Sequence, residues 1–277
     1  MLPASMHLNV AQDCVKFKKH LATASYVSKE MKELDEEAKV AGIILMNEIG
    51  LDPGIDHASA MKVIDHIHEQ GGELTSFQSF CGGLVAPECN DNPWGYKFSW
   101  NPRNVVLAGQ GGDAQYIEKS EMKTIPYEKL FEKTENIEVS GYGKFEAYPN
   151  RDSLSYRKPY GLEKIPTMLR GTLRAPGFCK AWSTLIKLGL TDDTKKIEDS
   201  DKLTWSELIE RLNPSITSDV AASIHGNSEV FTKLEWLEIF SDRKIILKNA
   251  TPAQILQDLL EEKWKLKEHD KDMIVMQ

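Results

Sequence analysis

The chain has 277 residues, of which 41% are hydrophobic and 27% are charged, and it contains no long apolar run. A chain of this length can bury enough apolar surface to fold without disulfides or a structural metal. Its 34 lysines and arginines against 42 aspartates and glutamates give a net charge of −8. This balance argues against a general nucleic-acid-binding protein, which carries a dominant basic surface, so an anionic ligand must be held by individually placed basic side chains.

The cysteines and the amino terminus indicate the compartment. The four cysteines, Cys14, Cys81, Cys89 and Cys179, are widely spaced and form no C-x-x-C pair. This spacing favours reduced thiols over a disulfide framework or a zinc site. Residues 1–5 lack the basic and apolar regions of a secretory signal. We therefore expect a cytoplasmic protein that binds neither nucleic acid nor membrane.

The amino-terminal part of the chain alternates between strand and helix patterns. Short apolar runs at residues 21–24 and 43–46 predict buried strands. Between them, residues 29–40 carry apolar side chains at helical spacing, with Ser28 as a candidate N-cap and Gly42 just past the end. Strands that alternate with helices predict an α/β fold with a parallel sheet.

A loop at residues 47–54 follows the second predicted strand. In it Asp52 can cap the next helix and Pro53 can occupy the first turn, where a missing N–H does no harm. The helix should run to about His68. Ligands of parallel sheets bind at the carboxyl ends of the strands, which directs attention to residues 24–26 and 51–53.

One expected motif is absent. Sheets of this kind that bind a dinucleotide begin with a strand and G-x-G-x-x-G, and the sequence contains no such fingerprint. Gly109-Gln110-Gly111-Gly112 has the wrong spacing. Either the fold is different or the chain starts late.

From Glu73 onward the pattern changes to α+β. It predicts a strand at residues 74–80, a tight turn at Cys81-Gly82-Gly83, a half-buried strand through Trp94, Tyr96, Phe98 and Trp100, and a solvated helix or loop at residues 118–135. Further strands are predicted at residues 137–148 and 168–173. Helices are predicted at residues 177–190, 234–240 and 252–266, and after the capping box Thr204-Trp205-Ser206-Glu207.

Several residue types could carry chemistry. His66 and His68 have no third ligand at usable spacing, so they indicate a solvated helix face and we predict no metal site. Cys81 precedes two glycines that would let a ligand approach closely, although a small core residue explains it equally well. Arg170 and Arg174 fall on one face of a strand, where only a partner or a ligand relieves the cost of burying a charge. Arg151, in a polar turn, is either a surface charge or a ligand.

Six groups of segments share one resemblance. They are Thr23-Ala24-Ser25-Tyr26-Val27; Asn47-Glu48-Ile49-Gly50-Leu51-Asp52-Pro53-Gly54-Ile55-Asp56-His57; Cys81-Gly82-Gly83-Leu84 with Ala86-Pro87-Glu88; Asn92-Pro93 with Tyr96-Lys97-Phe98-Ser99-Trp100; Tyr148-Pro149-Asn150-Arg151-Asp152-Ser153; and Arg170-Gly171-Thr172-Leu173-Arg174. In this order and spacing they closely resemble the glutamate-forming saccharopine dehydrogenases, also called saccharopine reductases. These enzymes interconvert L-saccharopine with L-glutamate plus L-2-aminoadipate 6-semialdehyde, using NAD or NADP, in lysine metabolism.

The resemblance implies an α/β architecture in two domains. Residues 1–72 would be the carboxyl-terminal part of a Rossmann-type parallel sheet. Residues 73–277 would be an α+β domain with a mixed sheet that binds substrate and dimerises, with a helical insertion at about 177–268. Its sheet face, rich in Phe77, Phe98 and Trp100, is expected to build a homodimer.

The resemblance also implies site residues. Asp52, Cys81 and Tyr26 would lie near the reacting nitrogen, and the sequence does not decide whether one of them or a water moves the proton. The implied cofactor contacts are Leu2, Ala24 and Asp52, and the implied saccharopine contacts are Ser25, Tyr26, Arg151, Thr172, Leu173 and Arg174. Saccharopine is a tricarboxylate, and a planar guanidinium that binds in a bidentate manner suits it.

Leu2-Pro3 resembles the end of the family's fourth Rossmann strand, and residues 270–276 resemble a strand after which more chain normally follows. The glycine loop and the residue that selects NAD or NADP would then be missing, and the chain alone is expected to be an inactive fragment. Two alternatives stay open: a non-catalytic dimerisation or binding module, and a related imine reductase such as a carboxynorspermidine dehydrogenase. The intact Asn150-Arg151-Asp152 and Gly171-Thr172-Leu173-Arg174 motifs favour saccharopine over the latter.

Overall fold

The computed structural model describes residues 2, 4–107, 112–214, 224 and 226–277. They form two compact units, Met1–Leu74 and Thr75–Gln277. Gly109, Gln110 and Gly111 of the segment with the wrong glycine spacing, and Pro3 of the predicted strand end, lie outside the described residues. No helix among the residues that the structure describes is long and apolar enough to span a membrane.

The first unit is built on two short parallel strands. In chain order its elements are α1 (His7–Phe17), β1 (Leu21–Ala22), α2 (Lys29–Glu33), α3 (Asp35–Ala41), β2 (Leu45–Met46) and α4 (Ile55–Glu69). Strands β1 and β2 pair in parallel, with Leu21 opposite Leu45. The predicted α/β fold with a parallel sheet is confirmed.

The predicted N-cap and helix end are confirmed, although the single helix predicted over residues 29–40 is divided into α2 and α3. The Ser28 side chain accepts a hydrogen bond from the Met31 backbone N–H, and Gly42 ends α3 with a φ of 68°. The break falls at Leu34, whose buried side chain packs with Met31 and Ala11 in a small core. Packing of this apolar stripe, rather than local propensity, keeps the two short helices in place.

The start of α4 differs from the prediction. Asp52 does not cap the helix and Pro53 is not in its first turn; the Asp52–Pro53 peptide bond is cis, and the helix begins at Ile55 after Gly54. The buried Asp56 carboxylate instead accepts a hydrogen bond of 2.7 Å from the Gly54 N–H. The carboxylate of Asp52 is therefore not used in capping.

The second unit is built around a seven-stranded mixed sheet. Its strands are β3 (Ser76–Val85), β4 (Ala114–Glu118), β5 (Glu121–Ile125), β6 (Glu135–Val139), β7 (Gly143–Pro149), β8 (Thr167–Arg174) and β9 (Asp272–Met276). Strand β8 is central: it pairs with β3 in parallel and with β4 and β7 antiparallel. The expected mixed sheet is confirmed.

Two predictions of non-strand structure in this unit are wrong. Cys81-Gly82-Gly83 is not a turn but the middle of β3, because its backbone pairs with β8 on one side and with β9 on the other. Residues 118–135 are not one solvated helix or loop. They contribute to the hairpin of β4 and β5, the short helix α6 (Tyr127–Leu130) and the start of β6.

The aromatic segment at residues 94–100 is also not a strand. Asn92 folds it into turns, since its side chain accepts a hydrogen bond from the Trp94 N–H and donates one to the Tyr96 carbonyl. Trp94 and Tyr96 are buried, whereas Trp100 is 50% exposed. Phe77 and Phe98 are buried within the chain as well. The prediction of an uncovered aromatic face is therefore wrong, and these side chains give no support to a dimer.

The helices after β8 enclose the largest core. Helix α5 (Pro102–Val106) precedes β4, and α7 (Phe178–Lys187), α8 (Trp205–Leu212), α9 (Ser228–Trp236) and α10 (Pro252–Lys263) follow β8. The capping box at Thr204 and Glu207 is confirmed. The predicted helix at residues 234–240 instead starts earlier, at Ser228. In the core Trp94 contacts Phe178, Trp182 and Trp264, with ring centroids 5.3–6.4 Å apart.

A buried lysine joins the aromatic segment to the carboxyl-terminal part of the chain. Lys97 is 2% exposed, and its ammonium lies 2.8 Å from Asp91 and 2.7 Å from Asp270. Lys267 also binds Asp91. The hydrogen bonds from Lys267 and Lys97 lower the pKa of Asp91 from its ordinary 3.8 to about 2.

The close approach of β3 and β8 predicts the effect of adding one methyl group. A Cβ at Gly82 would lie 2.7 Å from the Leu173 Cβ and 2.8 Å from its carbonyl oxygen, whereas a Cβ at Gly83 would have no neighbour closer than 3.7 Å. Gly82→Ala should lower the free energy of unfolding by about 1–3 kcal/mol. Gly83→Ala, the matched control, should change it by less than about 0.5 kcal/mol. Urea unfolding measures both, and equal effects would contradict the proposed clash.

The lowered pKa of Asp91 predicts a pH dependence of stability. A carboxyl group whose pKa is lower in the folded state stabilises the fold above its unfolded pKa of 3.8, and this contribution is lost as the pH falls towards 2. Because the Asp91 side chain is 45% exposed, solvent screening limits the contribution to about 1 kcal/mol. Asp91→Asn should therefore flatten the loss of stability between pH 4 and 2. The exposed Asp113→Asn control should follow the wild-type curve; if Asp91→Asn follows it too, the ion pairs contribute nothing.

Candidate functional site

The two loops at the carboxyl ends of β1 and β2 are held together. The Ser25 carbonyl accepts hydrogen bonds from the Glu48 N–H at 3.2 Å and from the Asn47 side chain at 3.3 Å. The Glu48 carboxylate accepts one from the Val27 N–H at 3.1 Å. Parallel strands bring their carboxyl ends to one edge, so this is where the fold places the loops. Glu48 has a positive φ of 58°, which its sequence context does not reveal.

A polar pair lies at this edge. The Tyr26 hydroxyl donates a hydrogen bond to an Asp52 carboxylate oxygen at 2.9 Å, and both side chains are exposed. Ala24 is exposed and Ser25 is half-buried beside them in the chain. Four of the residues implied by the resemblance, Ala24, Ser25, Tyr26 and Asp52, thus lie in two linked loops. The pair can exchange a proton between a phenol and a carboxylate.

Leu2 is connected to the same edge through a histidine that the sequence does not single out. The His7 ring lies 3.1 Å from the Leu2 carbonyl oxygen through Nε2 and 3.0 Å from the Thr23 hydroxyl through Nδ1. A carbonyl oxygen only accepts, so Nε2 donates to Leu2, and in the neutral ring Nδ1 accepts the hydrogen bond from Thr23. His7 therefore links the chain at Leu2, which is 52% exposed, to the end of β1.

The second unit holds the other candidate residues along β8. Thr172 lies opposite Cys81 of β3 on one side and opposite Tyr148 of β7 on the other. Thr172 and Cys81 are half-buried. The side chain of Leu173 is fully buried in a core with Phe80, so a ligand contact at this position would involve its backbone.

Arg174 is buried in a cage of aromatic rings. It is 4% exposed, and its guanidinium carbon lies 5.2, 5.4 and 5.8 Å from the ring centroids of Tyr96, Phe178 and Tyr148. One NH group donates to the Leu173 carbonyl at 3.2 Å, and Nε has no partner among the residues that the structure describes. Burial opposes the charge, but the neighbouring Tyr148, Tyr96 and Cys179 together outweigh it, so the pKa of Arg174 is raised.

Arg151 is in a different environment. It is exposed on the loop after β7, and in the described part of the chain its guanidinium forms no ion pair. The preceding residue ties this loop to β8, because the Thr172 hydroxyl donates a hydrogen bond of 2.6 Å to the Asn150 side-chain oxygen. The structure therefore brings Arg151, Thr172 and Cys81 to one region of the second unit. Asn150 was part of a predicted motif, but only the fold reveals its role.

No metal-binding group of three or more His, Cys, Asp or Glu residues occurs within the described ranges. His66 and His68 lie exposed on α4. The four cysteines, all within the described residues, form no disulfide. Burial and the neighbouring Glu146 raise the pKa of the Cys179 thiol well above its ordinary value, which makes it unreactive.

Comparison with known proteins relates this chain to one family. Residues 50–277 match the family described as "Saccharopine dehydrogenase C-terminal domain". Over 289 residues the chain is 36% identical to the NADP(+), L-glutamate-forming saccharopine dehydrogenase of Pyricularia oryzae and 37% identical to that of Saccharomyces cerevisiae. Each alignment covers 100% of this chain and 64% of the relative, so the chain spans less than two thirds of the length of these relatives.

Two further comparisons agree. The chain is 39% identical over 239 residues to the alpha-aminoadipic semialdehyde synthase of Arabidopsis thaliana, covering 84% of this chain and 22% of that protein. A solved structure, the apo histidine-tagged saccharopine dehydrogenase (L-Glu forming) from Saccharomyces cerevisiae, superposes with a TM-score of 0.85 at 36% identity. That match covers 100% of this chain and 64% of the solved one.

Proposed function

Because this chain belongs to the saccharopine dehydrogenase family, we propose that it is the substrate-binding part of an oxidoreductase that interconverts L-saccharopine with L-glutamate plus L-2-aminoadipate 6-semialdehyde. The observation that carries the proposal is Arg151, an exposed arginine without an ion-pair partner in the described residues, on a loop tied to β8 beside Thr172. The names of the relatives, which specify the glutamate-forming reaction, also support it. They favour saccharopine over the substrate of another imine reductase.

The proposed role of Arg151 follows from the chemistry of the substrate. Saccharopine carries three carboxylates, and a guanidinium can form two parallel hydrogen bonds with one of them. Thr172 and the backbone of Leu173 and Arg174 would form another part of the pocket. Arg174 itself is caged by aromatic rings, so it would meet a carboxylate only at the base of the pocket.

Proton transfer falls to Tyr26, Asp52 or Cys81. In the forward or reverse direction the reaction must add or remove a proton at the substrate nitrogen and at the water that hydrolyses the imine. The Tyr26 hydroxyl already donates to Asp52, so an ionised Asp52 can accept a proton directly or through the phenol. Holding the reactants in line also contributes to the rate, because orientation lowers the entropic part of the barrier.

The residues present fit part of a nicotinamide cofactor. Ala24 and Asp52 follow the carboxyl ends of two parallel strands, where parallel sheets bind their ligands, and Leu2 is tied to this edge through His7. No G-x-G-x-x-G loop for the diphosphate occurs in this sequence. When bound, the cofactor supplies or accepts the hydride. We propose NADP, as in the names of the fungal relatives.

Homodimerisation and a cytoplasmic location remain proposals. The dimer is supported by the resemblance of the second unit to the family's dimerisation domain. The cytoplasmic location is supported by the four free, scattered cysteines, which suit a reducing compartment. Sedimentation at micromolar concentration tests the dimer, and a monomer throughout would exclude it.

Arg151 provides the direct test of substrate binding. We expect Arg151 to form two parallel hydrogen bonds with one substrate carboxylate. Arg151→Lys should then weaken saccharopine binding by about ten- to a hundredfold, because lysine keeps the charge but lacks the planar guanidinium. Isothermal titration calorimetry on the chain measures this. Arg211→Lys on α8, another exposed arginine, is the matched control and should bind as the wild type does. Wild-type affinity in Arg151→Lys would remove Arg151 from the site.

The second test concerns turnover. We expect the 277-residue chain, assayed alone with saccharopine and either NADP or NAD, to form no reduced cofactor, because it carries no glycine loop to hold the diphosphate. Absorbance of the reduced nicotinamide measures the product. The Saccharomyces cerevisiae enzyme in the same assay is the positive control. Robust turnover by this chain would show that its cofactor contacts are sufficient.

A further inference from the structure

The loop that carries Arg151 occupies a gap along one edge of β8. Strand β4 pairs with this edge at Met168, and β7 pairs with it from Gly171 onward. Arg170 lies between these two points, outside the register of both strands, while on the opposite edge it pairs with Ser79 of β3. Residues 150–153 pass through this gap, and an unpaired backbone group there would be costly because Arg170 is buried.

The Ser153 hydroxyl takes the place of the missing strand. It donates a hydrogen bond of 3.0 Å to the Arg170 carbonyl and accepts one of 2.9 Å from the Arg170 N–H. One side chain thus satisfies both backbone groups of Arg170, as a neighbouring strand would. Ser153 is fully buried, so it is out of reach of a substrate.

The loop is also fixed on its other side and at its start. The Gln115 N–H donates to the Arg151 carbonyl at 3.1 Å, and the Ser153 N–H donates to the Gln115 carbonyl at 3.3 Å. The Asn150 N–H donates to the Arg170 carbonyl at 2.8 Å. The backbone around Arg151 is therefore held from β4 and from β8, while the Arg151 side chain itself is exposed.

We infer that Ser153 is a positioning residue for substrate binding: its hydroxyl fixes the loop between β4 and β8 so that the Arg151 guanidinium meets a substrate carboxylate in a bidentate geometry. The inference rests on the proposed function for the identity of the ligand. It does not make Ser153 a contact residue. A bidentate pair depends steeply on orientation, so a looser loop costs affinity even though the charge stays in place.

The test removes this one hydroxyl. Ser153→Ala should weaken saccharopine binding to the full 277-residue chain by about tenfold, measured by calorimetry. Ser183→Ala is the matched control: Ser183 is also a buried serine, but its hydroxyl has no hydrogen-bond partner among the described residues, so its loss should leave affinity unchanged. In an Arg151→Ala background Ser153→Ala should have no further effect, since no guanidinium remains to be positioned.

A second measurement keeps the two proposals separable. Hydrogen exchange of the amides of Asn150, Ser153 and Arg170 should quicken at least tenfold in Ser153→Ala and not in Ser183→Ala. If the wild type does not bind saccharopine, the proposed function fails, and the exchange rates alone decide whether Ser153 fixes the loop. Unchanged exchange, wild-type affinity in Ser153→Ala, or a loss of affinity that persists in the Arg151→Ala background would each overturn the inference.

Discussion

The parallel pairing of β3 with β8 is the constraint on which the second unit depends. The two backbones approach so closely that a Cβ at Gly82 would overlap Leu173, and one at Gly171 would lie 2.7 Å from the Phe80 ring. These two glycines let the strands meet, and the meeting places Cys81 opposite Thr172. Strand β8 then fixes everything that pairs with it, including the Arg151 loop. The close packing of the two backbones, rather than contacts between side chains, therefore sets the position of a candidate site residue on this sheet.

Two buried cationic side chains of the second unit, Lys97 and Arg174, lie in different environments. Lys97 is neutralised by two carboxylates, Asp91 and Asp270, and its ion pairs therefore connect segments that are distant in the sequence. Arg174 is surrounded by three aromatic rings and has no carboxylate within ion-pair distance in the described part of the chain. Aromatic faces attract a cation, but more weakly than a carboxylate does in a dry interior. The difference fits a structural role for Lys97 and, under the proposed function, a ligand-facing role for Arg174.

Each of the two units carries its own set of candidate polar groups. The first unit offers a phenol–carboxylate pair, Tyr26 and Asp52, at the carboxyl ends of two parallel strands. The second offers Arg151 and Thr172 on a sheet whose central strand is paired along both edges. Tyr26 and Asp52, two of the candidates for proton transfer, thus lie on loops, whereas the groups proposed to hold carboxylates lie on or against the rigid sheet. Rigid support is what bidentate recognition requires.

The sequence by itself determined those features that depend on neighbours close in the chain. The Ser28 cap, the Gly42 helix end, the capping box at Thr204 and the α/β order are local, and the family motifs identified the candidate residues. Tertiary structure decided whatever depends on distant partners. Cys81 lies within a strand because β8 and β9 flank it, and Asn92 folds the aromatic segment around Trp94 instead of letting it extend. Ser153 bonds to both backbone groups of Arg170 at the point where the pairing of this edge of β8 passes from β4 to β7, and no local sequence pattern predicts that contact.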